Sequence, residues 1–204
     1  LLEEHIENAY HQNLSKEYQF LKQKFNLSNA HVTPLQFFRL RPPNFPTIRL
    51  SQLAMLYHKE QNLFSKIIAA TTIDDVYKLL KVSTSEFWTN HYTFGKASKS
   101  TKKILTDSFI DLLLINTILP LKFSYANYLG QSIDTLILSM VQEISSEKNG
   151  IVDTFNSIKN VSKTAMQSQA LIQLKTEYCD KNKCLQCAIG NSLLNNTQLQ
   201  NRNS

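Results

Sequence analysis

The sequence predicts an all-α fold, an irregular single-domain helical bundle of about eight to ten helices, and three observations carry that prediction. Apolar residues recur at helical spacing, as in Leu63, Phe64, Ile67 and Ile68, and again in Ile133, Leu136, Ile137 and Met140. Strand signals are weak throughout, the best being residues 37–41. The composition is that of a globular chain, 42% hydrophobic and 19% charged, with only four glycines and five prolines to break its helices.

Taken in order, residues 1–11 and 15–25 read as a helix pair, the second with Tyr18, Leu21 and Phe25 on one face and Ser15 as its cap. Pro42, Pro43 and Pro46 then exclude a regular element across their stretch. Pro46 suits the first turn of a helix through Ile48, Leu50, Leu53, Ala54 and Leu56 to about Tyr57, with Asn44 as cap. Residues 61–70 and 73–80 form two short amphipathic helices, the second capped by Thr72 with Asp74 and Asp75 near its positive end. From Ser85 to Ser98 the pattern turns aromatic and loose, with a turn at Gly95. Residues 102–120 make the most apolar helix, ended by Pro120 and placed at the centre of the bundle. Further helices follow up to Gly130 and over 132–145, 151–159 and 163–175. The domain organisation expected is one helical domain over 1–194 and a polar tail over 195–204. Because the chain opens on Leu1 in a helix-like segment, it is expected to be a fragment of a longer protein, with its missing N-terminal region as a partner.

Twenty-two Lys and Arg against 16 Asp and Glu give a net charge of +6, which permits an anionic partner, DNA or RNA included. The apolar runs are shorter and more interrupted than a bilayer crossing needs, and Glu3 and Glu4 do not suit a signal peptide. Three cysteines near one end form no disulfide framework, and a cytoplasmic location is expected. No Ser-His-Asp order, glycine-rich phosphate cradle or paired acidic motif stands out, so no catalytic residue is assigned.

Residues 37–49 combine Arg39, Arg41 and Arg49 with a proline-stiffened backbone. In an extended stretch Arg39 and Arg41 point to the same side, and Arg49 lies one turn into the following helix. Such a trio, with Asn44, suits a phosphate or carboxylate, because guanidinium groups donate in pairs. Two other readings stand beside a nucleic-acid backbone contact: the arginines pair with local acidic groups while the prolines and phenylalanines wedge the loop onto the core, or they serve a small-molecule or catalytic site.

Cys179, Cys184 and Cys187 are spaced C-x4-C-x2-C, and the last is expected to enter a short helix. A positive helix end and the nearby Lys181 and Lys183 both favour thiolate. Zinc or an iron–sulfur cluster is the cofactor such thiols would take, but either wants a fourth ligand. Asp180, the histidines His5, His11, His31, His58 and His91, or the upstream region would have to supply it. Buried structural thiols and a redox pair at Cys184 and Cys187 are the other two readings.

At RLRPPNFPTIRLSQLA, LINTILPL and YCDKNKCLQCAIGNSLL the sequence resembles the C-terminal half of a bacterial family, domain of unknown function 2851, found mainly in Bacteroidetes. Arg39, Arg41, Pro42, Asn44, Phe45, Pro46, Thr47, Arg49 and Gln52 match its central motif. Asn116 and Pro120 match the second, and Cys179, Cys184, Cys187 and Gly190 the last. The resemblance implies an N-terminal half whose acidic and histidine motifs are similar to those of metal-dependent nucleases, and it transfers no activity. The expected function is thus a helical accessory or interaction module beside a region acting on nucleic acid. The alternatives are part of a metal-dependent nuclease to which the arginine loop contributes, and a purely structural domain.

Overall fold

A computed structural model of the chain describes the backbone of residues 1–200 and the side chains of 1–194. The fold is all-α. Among the described residues the helices are α1 (Ala9–Lys24), α2 (Pro46–Lys59), α3 (Leu63–Ala69), α4 (Ile73–Leu80), α5 (Asp107–Leu113), α6 (Leu119–Tyr128), α7 (Asp134–Glu143), α8 (Gly150–Ile158), α9 (Ala165–Gln173) and α10 (Ala188–Gln200). Since α5 and α6 are one continuous helix, these make nine helices, within the expected eight to ten. The sheet is a hairpin of β1 (His91–Thr93) and β2 (Lys96–Ala97), turning at Gly95 with an irregular register. Of the expected polar tail 195–204, residues 201–204 lie outside the described residues.

The chain groups into two compact units, Leu1–Ala69 with Val76–Ile110, and Ala70–Asp75 with the residues from Asp111 onward. The first unit is built on rings. Ile48, Trp88 and Phe94 are buried together, and Leu2, Ile6, Tyr10 and Phe87 pack against them. Tyr10 stacks on Phe87 at 4.2 Å and Phe94 lies 5.0 Å from Trp88, so much of this burial is the aromatic and aliphatic contact that such rings supply. In place of the expected helix pair there is one helix, α1, preceded by an extended lead. Asn8 caps it by accepting from the His11 amide, and Ser15 instead donates to the Leu2 carbonyl oxygen at 2.7 Å. That bond holds the lead against the helix, where Leu2 and Ile6 reach the rings.

In the second unit α9 meets both α7 and α8. Ala165 and Ser168 are fully buried there, small enough for close approach of the backbones. The Ala165 amide donates to the Ile144 carbonyl and the Glu147 amide to Ser168 Oγ. The caps follow local rules: Asn149 Oδ1 accepts from Ile151 and Val152, Thr164 and Gln167 form a reciprocal box, and Gly130 closes α6 at φ +69°. Thr72 caps α4 as expected, accepting from the Asp75 amide.

Pro120 does not end its helix. A π turn, Leu114–Ile118, stands just before it, and the Leu119 amide reaches back five residues to Leu114. The wide turn opens the backbone ladder where the proline ring would strike a carbonyl. Asp107–Tyr128 is therefore one helix of 22 residues containing an 18-residue window with a mean hydropathy of 1.4, long and apolar enough to cross a membrane by length and composition alone. This corrects the expected interruption. One third of that window is buried, the row Ile110, Leu114, Ile118, Lys122 and Ala126 together with Leu119, and Lys122 donates to the Ala70 carbonyl at 2.8 Å. Burial pulls the Lys122 ammonium below the ordinary lysine value.

Candidate functional site

The arginine loop is not extended. The Leu40 amide donates to the Phe37 carbonyl at 3.2 Å, closing a turn in which Arg39 takes a left-handed φ of +63°. The same-side alignment expected of Arg39 and Arg41 therefore does not follow, because alternation belongs to a strand. The turn leaves Phe38 78% exposed, and the Arg39 guanidinium carbon lies 5.1 Å from its ring centre. Pro42–Asn44 is a short 3-10 turn, and Phe45, not Asn44, stands at the N-terminal cap of α2.

Asn44 has another task. Its Oδ1 accepts from Arg49 Nη2 at 2.6 Å, and Gln52 Oε1 accepts from Arg49 Nη1 at 2.9 Å. The guanidinium lies over the Phe109 ring, its carbon 3.5 Å from the ring centre. Arg49 is thus half-buried and fixed from three sides, and burial draws its guanidinium below the ordinary arginine value. An arginine still keeps its charge at any physiological pH.

Behind it, Gln52 Nε2 donates to the Lys103 carbonyl at 3.2 Å. Lys103 is itself buried. Its ammonium donates to the carbonyls of Trp88 and Thr89 and lies 4.2 Å from the Tyr92 ring centre, and burial lowers its proton affinity. Thr47 Oγ1 donates to the Tyr92 carbonyl at 2.6 Å, and Phe45 meets the same ring edge-on. The start of α2 and the segment 91–103 are therefore one bonded assembly.

Of the residues singled out in the sequence, the structure joins Asn44 and Arg49; Arg39 and Arg41 are exposed beside them. Among the described residues none of the three has a carboxylate partner, which removes pairing with local acidic side chains as their explanation. The reason lies in composition: no Asp or Glu occurs between Tyr18 and Lys59, nor between Phe87 and Thr106. The second stretch carries exposed Lys96, Lys99 and Lys102. Exposed Phe38, buried Lys103 and half-buried Phe109 take part in these contacts and were not readable as site residues. The acid-free runs were the available signal.

At the other end, Cys179 and Cys184 are exposed and Cys187 is buried at the start of α10. Helix α9 runs into a second π turn, Leu174–Cys179, and a 3-10 turn, Cys184–Gln186, leads to Cys187. A side chain at Gly190 would overlap the Cys184 carbonyl, so glycine lets the turn close on the helix. Asp180 is engaged by Lys175 and Lys181 by Glu177. Among the described residues no three His, Cys, Asp or Glu side chains gather as a metal ion needs, so the three thiols and their suggested fourth ligands are not brought together.

The model of the family described as "Protein of unknown function (DUF2851)" matches residues 1–150. The chain belongs to this family. The DUF2851 match takes in the arginine loop, the segment 91–103 and the π turn with Asn116 and Pro120, and it ends before the cysteine turn. No curated protein and no solved structure matches the chain.

Proposed function

We propose that this chain is a helical module that holds a phosphate-bearing polyanion, a nucleic-acid backbone, through Arg39, Arg41 and Arg49, with Asn44 holding Arg49 in place. The observation that supports the reading is the absence, among the described residues, of any carboxylate partner for these three arginines. Elsewhere in the described residues cations do find acids, as half-buried Lys22 finds Glu3 and exposed Lys66 finds Glu60. An arginine desolvated against Phe109 and oriented by two amides loses little freedom when it meets an anion, which favours bidentate contact.

The test is binding of a labelled oligonucleotide measured over a series of salt concentrations. Displacement of counterions by three arginines predicts that log K falls with log salt at a slope of about −2 to −3. Arg41→Ala should make that slope shallower by about 0.7 to 0.9 and leave stability unchanged, since Arg41 is exposed. Absence of any binding at low salt would overturn the proposal and leave a structural domain.

A further inference from the structure

The turn at Phe37–Leu40 places two locally unfavourable choices side by side. Phe38 is the most exposed phenylalanine among the described residues, at 78%, and Arg39 sits at φ +63°, where glycine or asparagine fits with less strain. Neither choice serves the packing, because both side chains face solvent. What they share is display: a flat ring with a guanidinium over it, fixed ahead of the stiff Pro42–Pro43 pair. Strain of this kind is tolerated where a side chain is wanted at that spot.

The charges of the loop and of the segment bonded to α2 point the same way. Arg41 follows it without an acidic partner, and Lys96, Lys99 and Lys102 lie in the acid-free segment that Gln52 and Thr47 tie to α2. On the reading of the loop as a phosphate contact, we infer that this surface takes single-stranded nucleic acid, with a base stacked on Phe38 and its phosphates on Arg39, Arg41 and the 96–102 segment. A base inside a duplex already has both faces covered, whereas an unpaired base offers a face to an exposed ring. A single ring with the Arg39 guanidinium over it presents a plane and a charge, the two features of a nucleotide unit. A lipid headgroup layer offers charge and no plane.

The experiment is fluorescence anisotropy of this chain with a labelled oligothymidylate of about 20 nucleotides, with its duplex, and with phosphatidylserine vesicles. The strand should bind about tenfold more tightly than the duplex. Phe38→Ala and Phe38→Leu should each weaken strand binding about tenfold and change duplex binding little, since one base stack is lost in both. Equal binding of strand and duplex, unchanged in the Phe38 variants, overturns the inference and leaves the phosphate reading standing. No salt-sensitive binding of either overturns both. Vesicle binding that survives in Phe38→Leu but not in Phe38→Ala, without strand binding, gives the ring to a membrane surface and also overturns the inference.

Discussion

Arg39 carries a conflict between local backbone energy and display of its side chain. A left-handed L-residue costs roughly 1–2 kcal/mol, and glycine at the same place costs roughly 0.5–1 kcal/mol in chain entropy. Arg39→Gly is therefore expected to leave stability unchanged or raise it by up to about 1 kcal/mol in urea denaturation, while weakening oligonucleotide binding. A clear loss of stability would show that Arg39 holds the loop. Some of the residue-level picture was legible. Arg49 and Gln52 stand three apart on one helix, so their contact follows from spacing. Phe109 and Lys103 come from more than fifty residues away, and nothing local announces them. Asn44 shows the opposite failure: its type suggested a cap, and its oxygen accepts from Arg49 instead.

Among the elements, α2 and α4 were readable because Pro46 and Thr72 mark their starts, while Ser15 misled because Asn8 caps the longer α1 first. The helix through Pro120 was hidden for a different reason. A proline argues for a stop unless the preceding turn is wide, and a π turn has no sequence signature to read. The buried row Ile110, Leu114, Ile118, Lys122 and Ala126 repeats every fourth residue. A regular helix would carry it about 160° around the axis, and one extra residue absorbed in the wide turn takes back about 100° of that. Deleting Asn116 together with Pro120→Ala should thus keep the row in phase and stability within about 1–2 kcal/mol of the parent. Deleting Ser124 in the same background should swing Ala126 away and cost several kcal/mol, read by urea denaturation.

The junction of α2 and α3 has its own pH signature. Glu60 accepts from Lys66 at 2.7 Å and pairs with Lys59, and these bonds hold its carboxyl below the ordinary value of 4.5. A depressed carboxyl contributes stability that is present above pH 4.5 and is lost as pH falls through the folded value. Glu60→Gln should flatten the acid side of the stability curve and leave its neutral plateau slightly lower. An acid limb unchanged from the parent would show that the bonds contribute nothing.

At the scale of the whole molecule, the all-α class was legible because helical periodicity runs through nearly every segment, and the β1–β2 hairpin is too short to leave an alternating pattern. The net charge of +6 said less than its distribution. All 16 acids lie outside two long stretches, and those stretches build the same assembly around α2. A surface that lacks carboxylates, as opposed to one that pairs them, keeps its attraction beyond contact distance, because no opposite charge cancels it nearby. On the proposed polyanion reading, encounter would be biased before any bond forms, the polyanion being drawn toward the acid-free stretches. On the same reading the missing acids would act on how fast and which way round a polyanion meets the chain, while Arg49 and Phe38 would govern how long it stays.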